Sequence, residues 1–147
     1  MIMREILFRG KTNFEGRDSQ WVYGSLLAES SNTFPIIAQD YDNDEDWIGI
    51  IEWATVDPET VGQCTGLTDK NGKKIFEGDI VQGTIVSAWN KALIRCEVVY
   101  NKDGFISVER TRNQDWVHKV KFAKDIEVIG NIHDNPELLG EQYGKRN

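Results

Sequence analysis

Short runs in which apolar and polar residues alternate, separated by Gly, Asn and Asp, dominate the chain. That period is the signature of strands, whose successive side chains point to opposite faces. Residues 4–9 alternate, with Ile6 and Phe8 on one face. Residues 20–28 follow the polar turn Gly16-Arg17-Asp18-Ser19 and place Trp21, Tyr23, Ser25 and Leu27 on a shared face. Residues 34–38 form a short apolar run suited to pair next. Residues 47–56 read as a strand, with a helical turn as the alternative, because Ile48, Ile50, Ile51 and Trp53 are β-branched or aromatic.

Turn chemistry divides the rest. Asp57 and Pro58 open a helical turn over 57–60, with Asp57 as its cap. Asn71-Gly72 stands between residues 67–70 and 73–76, and Asn-Gly takes positive φ readily, which predicts a hairpin. Gly78 and Gly83 interrupt a strand pattern and predict bulges or bends of the kind that close small barrels. Ile94, Cys96, Val98 and Tyr100 share a face, and Asp103-Gly104 turns the chain into a second hairpin with residues 105–110. Residues 117–122 alternate again, and residues 126–132 form a last apolar strand. Asn135, Pro136, Leu138, Leu139 and Gly140 then predict a capped short helix. The fold class expected is mainly β: an antiparallel, partly closed, barrel-like sheet with hairpins and a short C-terminal helix.

The 147 residues suit one domain over 1–147, with a soft boundary between two lobes near 57–66. Hydrophobic residues make up 39% and charged residues 28%, a globular balance. A net charge of −7 opposes general binding to a phosphate backbone, which needs a basic surface. Cys64 and Cys96 lie far apart and form no C-x-x-C pair, so a disulfide scaffold and a structural zinc site are not expected. The apolar start is broken by Arg4, Glu5 and Arg9, unlike a signal peptide, and no apolar stretch is long enough for a bilayer.

The most site-like run is acidic, residues 40–46, in which Asp40, Asp42, Asp44 and Asp46 are spaced as oxygen ligands. A calcium loop begun at Asp40 finds Glu45 at the sharp-turn glycine position and Ile51 at that of the closing bidentate glutamate. Begun at Asp42, it meets Trp47 where the glycine belongs. A solvated loop explains the run better, and neither a metal nor any other cofactor is expected. His118 shares a strand face with Val120 and Phe122, as a core or interface histidine does. His133 precedes Asp134 at a turn, with no nucleophile marked nearby. Cys96 falls on an apolar face and reads as a packing residue. The glycines 62, 66, 72 and 78 make no phosphate loop.

Five tryptophans stand at 21, 47, 53, 89 and 116. Around Trp116 lie Arg110, Arg112, Lys119, Lys121 and Lys124, which make the best case in the chain for stacking on single-stranded nucleic acid. Core or subunit-interface packing is the competing reading of the tryptophans.

Residues 58–81, including Gly62-Gln63-Cys64-Thr65-Gly66-Leu67-Thr68-Asp69-Lys70-Asn71-Gly72 and Ile75-Phe76-Glu77-Gly78-Asp79-Ile80-Val81, closely resemble the signature of the YopX family. Residues 127–139 are similar to that family's closing segment, and Arg4 to Lys11 with Trp21, Tyr23 and Gly24 to its opening. Residues 82–124 and the acidic run are less family-like. Cys64 and Phe76 stand where the family usually has tyrosine, which suits packing rather than hydroxyl chemistry. The resemblance implies phage or prophage origin, a mostly β fold with barrel character and a tendency to self-associate. It implies no activity and no catalytic residues. The expectation is a non-enzymatic, cytoplasmic binding or assembly protein of the host bacterial cell. It would form a homo-oligomer, engage a host or phage protein and not enter a membrane. The alternatives are nucleic-acid association through residues 110–124 and metal-dependent catalysis at residues 40–46.

Overall fold

The structure is a computed structural model, described here over residues 6–12, 18–27, 35–39 and 52–140. It is antiparallel β throughout, with helical geometry confined to two 3₁₀ turns among the described residues. The chain divides into two compact units, Met1–Cys64 and Thr65–Asn147.

The first unit holds β1 (Phe8–Lys11), β2 (Trp21–Leu27), β3 (Ile36–Gln39), β4 (Glu52–Thr55) and the start of β5 (Gly62–Thr68), hydrogen-bonded in the order β4-β3-β2-β1-β5. The sheet containing β1, β2 and β5 is curled into a half-barrel. Alternation does the sorting: Val22 is buried and Leu26 half-buried, while Tyr23, Ser25 and Leu27 face outward. The face that gathers Trp21, Tyr23, Ser25 and Leu27 is thus the outer one. Val22, Ile37 and Val56 form the core, flanked by Phe8, Leu26, Ala54 and Val61. Gly10 lets β1 lie against Val56, because a Cβ there would come within 2.8 Å of the valine side chain. The 3₁₀ turn Pro58–Thr60 begins as expected, with the Asp57 carboxylate accepting from the Glu59 amide at 3.0 Å. Thr60 Oγ1 then accepts from the Lys11 amide at 2.8 Å and fastens the turn to β1. Strand geometry holds over residues 52–55 of the ambiguous segment, and residues 47–51 lie outside the described residues.

The second unit contains the end of β5, β6 (Lys74–Phe76), and a sheet of β7 (Asp79–Val86), β8 (Lys91–Asn101), β9 (Gly104–Arg110), β10 (Asp115–Lys119) and β11 (Glu127–Asn131) in the order β10-β9-β8-β7-β11. Its core comprises Ile75, Val81, Ile94, Cys96, Val98, Val120, Ile126 and Val128. Ile94, Cys96 and Val98 are the buried row that the alternation marked, whereas Tyr100, next on that face, is exposed and packs tilted against Phe105, with ring centroids 4.9 Å apart.

Both hairpins turn where the glycines stand, by a different local route. Asp69 and Lys73 pair through the backbone, the Gly72 amide bonds back to the Asp69 carbonyl, and Gly72 takes φ +80°. This is a three-residue loop finished by a left-handed glycine rather than a two-residue Asn-Gly turn. In the next hairpin Asn101 pairs with Gly104, so Lys102 and Asp103 form the loop and Gly104, at φ +101°, opens β9. Gly83 marks no bulge. It lies flush beneath Phe122 and Ala123, where a Cβ would come within 2.9 Å of either. The register break falls in β11 instead, between Val128 and Gly130. The expected strand over 117–122 begins and ends earlier, at Asp115 and Lys119. The C-terminal helix is a single 3₁₀ turn, Pro136–Leu139, and Asn135 does not cap it by its side chain. The Asn135 Oδ1 accepts from the Asn131 amide instead, at 3.3 Å.

Candidate interaction surface

The hairpin of β9 and β10 carries the basic and aromatic residues at its outer end. Its register opposes Asp115 to Arg110, Trp116 to Glu109, Val117 to Val108, His118 to Ser107 and Lys119 to Ile106. Side chains alternate, so Trp116 and His118 share one face while Asp115, Val117 and Lys119 share the other. Trp116 therefore does not stand on the face of Lys119, and its direct cross-strand neighbour is an acid. Arg110 is engaged: its guanidinium meets Glu97 at 3.1 Å and Asp115 at 2.9 Å. Glu97 is almost wholly buried and needs that partner. Arg112 lies exposed in the turn that Thr111 and Gln114 close. His118 is half-buried, with Nε2 3.2 Å from Glu109 and its ring against Phe122 at 5.6 Å.

Lys121 and Lys124 belong to a different place. Together with Lys70 they rim a shallow recess of about 360 Å³ floored by Phe122, Ala123 and Ile126. One rim charge is matched, since Lys70 Nζ lies 3.1 Å from Glu127. Beside the recess Asp125 accepts from the Thr84 amide at 2.9 Å and its hydroxyl at 2.7 Å, bonds that hold this carboxyl below its ordinary range. The predicted set Arg110, Arg112, Trp116, Lys119, Lys121 and Lys124 is therefore split over two strand faces, a turn and a recess.

The remaining candidates have structural surroundings. The acidic residues 40–46 lie outside the described residues. Asn131 Oδ1 accepts from the amides of His133 and Asp134, which makes that pair part of a side-chain-closed turn. Both cysteines are buried, and burial, helped by the charge of Glu109, pushes the Cys96 thiol up to about 12.

One feature escapes the linear reading. At the end of the β7–β8 hairpin Val86, Leu93 and Trp89 are exposed, Trp89 at 96%. Val86 opposes Lys91 and Leu93 opposes Thr84, which sets the two apolar side chains diagonally on one face. The available signal was a tryptophan inside a turn, where Ser87 and Asn90 close the backbone around it.

The model of the YopX protein family matches residues 7–140. The chain belongs to the YopX family. No curated protein matches it. Among solved structures it is similar to protein EF1440 from Enterococcus faecalis, with a TM-score of 0.55 and 26% identity, covering 93% of this chain and 99% of the other. Several of the YopX signature residues hold the local backbone. Asp69 accepts from the amides of Asn71, Lys73 and Val128 at 2.9, 2.9 and 3.0 Å. Burial opposes its ionisation, and those amides with nearby Lys73 outweigh burial and hold the carboxyl below its usual range. Thr65 Oγ1 donates to the Ile75 carbonyl at 2.8 Å, and Asp79 Oδ2 accepts from the Phe76 amide at 2.7 Å. Gly66, Gly72 and Gly78 all take positive φ. In this YopX-family chain the recognisable motif is a strand–turn–strand scaffold. No helix of the described residues is long and apolar enough to cross a membrane.

Proposed function

We propose that this YopX-family protein is a non-enzymatic assembly protein, carried by a phage or prophage. In this reading it works in the host cytoplasm through self-association and contact with a protein partner. The observation that carries the reading is the apolar display of the second unit: Val86, Trp89, Leu93, Trp116 and Val117 are all more than half exposed, on strands and a turn held by a well-packed core. Exposed aromatic and branched side chains on a rigid sheet are what a protein interface uses, and they cost solubility if they stay uncovered. The groups with chemical potential point the same way by their occupations: Asp69 organises a turn, Glu97 holds Arg110, and His118 meets Glu109. For nucleic acid the stacking residue and the cations would need to share a face, and here Trp116 opposes Glu109.

Light scattering at micromolar concentration and two ionic strengths tests the reading. A mass above the 16.8 kDa of one chain is expected. Loss of that mass at high salt would assign the contact to rim charges, and persistence to apolar area. A monomer under both conditions would overturn the assembly reading.

A further inference from the structure

We propose that β10 is the self-association edge, pairing antiparallel with β10 of a second copy about a two-fold axis through Val117. The inference rests on the self-association reading and gives it a place and a register. β10 is the last strand of its sheet, and among the described residues no strand pairs with its outer edge. Asp115, Trp116, Val117 and Lys119 are exposed along it.

The backbone is set for this centre. The Thr111 amide donates to the Gln114 carbonyl at the mouth of the β9–β10 hairpin, which makes that pair a hydrogen-bonded one. In an antiparallel ladder hydrogen-bonded and non-bonded pairs alternate. The pairs at Trp116 and His118 therefore bond inward to β9, and residues 115, 117 and 119 turn their N–H and C=O groups toward the open edge. A copy aligned on Val117 would meet those groups with the same three residues and close about six backbone hydrogen bonds.

The side chains repeat the symmetry. In this register Asp115 faces Lys119 of the second copy and Lys119 faces its Asp115. Val117 faces Val117, and Trp116 faces His118. Every charge finds its opposite, and the apolar residue falls on the axis, as a self-complementary two-fold interface requires. A slip by two residues in either direction sets Val117 against a charge: one way Lys119 falls opposite Asn113, and the other way Asp115 falls opposite Lys121, beyond the end of β10. Edge lysines ordinarily discourage pairing with foreign strands. Here the acid at the mirrored position makes the strand complementary to its own copy.

The test uses the full chain in four states: wild type, Asp115→Lys, Lys119→Asp and an equimolar mixture of the two variants. Sedimentation velocity reads the association constant, with thermal melts checking that each variant is folded. Each single variant sets like charges opposite each other twice across the axis, so association should weaken about 10-fold or more. In the mixture, two lysines of one chain face two aspartates of the other, and association should return to within about 3-fold of wild type as a heterodimer. If wild type associates and both single variants associate equally well, the contact lies elsewhere: the edge assignment fails and self-association stands. If the single variants weaken and the mixture does not recover, the register fails. A wild type that stays monomeric to about 100 µM, within the range where weak specific contacts are seen, removes both.

Discussion

Replacing Asp69 by alanine should destabilise the second unit far more than its place in a surface turn suggests. The side chain is buried and accepts from three backbone amides: Oδ1 from Asn71 and Lys73 within its own turn, Oδ2 from Val128 in β11. Val128 is a core residue, and its amide would be left buried without an acceptor, a loss of about 1–3 kcal/mol. The two turn amides are nearer water and would cost about 0.5–1 kcal/mol each. The sum, about 2–5 kcal/mol, is a large share of the stability of a small domain. In a urea titration followed by circular dichroism the midpoint should fall by about 1–3 M. Asp69→Asn keeps one carbonyl oxygen, which can serve either the turn pair or Val128, so about half the loss is expected. A further consequence concerns acid. The Asp69 carboxyl is more acidic folded than unfolded, so its contribution is complete above the unfolded value of 3.8 and is lost as pH falls through the lower folded value. Wild type should shed this increment below about pH 4, and Asp69→Asn, having no proton to take up there, should not. A midpoint shift below about 0.3 M for Asp69→Ala would refute the account, since it would mean that water replaces all three bonds.

Three further outcomes are expected. Gly83→Ala places a methyl within 2.9 Å of Phe122 and Ala123, and overpacking there should cost about 1–3 kcal/mol, lowering the thermal midpoint by roughly 5–10 °C. With its thiol pushed up to about 12 and fully buried, Cys96 should stay unlabelled by a disulfide reagent at pH 8 and react once denaturant is added; labelling in the native state would contradict the packing described. The acidic run 40–46 lacks both the turn glycine and the closing glutamate of a calcium loop, so calorimetric titration with calcium, magnesium and manganese should show no saturable site in the micromolar range, about what a sensor-class loop would give.

The sheet was legible because alternation and turn residues act locally. Ile94, Cys96 and Val98 declare their face by spacing alone, and Asp57-Pro58 and Asn71-Gly72 mark turns by backbone preference. What spacing cannot carry is the identity of whatever lies across from a residue. Gly83 looks like an interruption until Phe122 and Ala123 are seen above it, and Asn135 resembles a cap until Asn131 claims its side chain. The basic stretch is divided for the same reason. Residues 110–124 are contiguous in sequence, but a strand sends neighbours to opposite faces, and a turn carries Lys121 and Lys124 to Lys70. Whether a tryptophan is core or surface is likewise a tertiary matter, which is why Trp89 stands out only once the hairpin is built.

The way β11 joins its sheet has a bearing on how the chain reaches its native state. Strands β7 to β10 form a meander in which each neighbour follows directly in sequence, so every pairing closes a short loop at small entropic cost. β11 must return past all of them to lie against β7, and the Val128 amide reaches Asp69, 59 residues away. Rate-limiting events favour local pairings. The meander is therefore expected in the transition state and β11 docked after it. Destabilising changes in the β8–β9 hairpin should chiefly slow folding, while those at Val128 or Asp69 should chiefly speed unfolding. Chevron plots of the two classes distinguish this order from its reverse. By the same order, the contacts of Val128 and Asp69 would set how long the second unit survives before it opens.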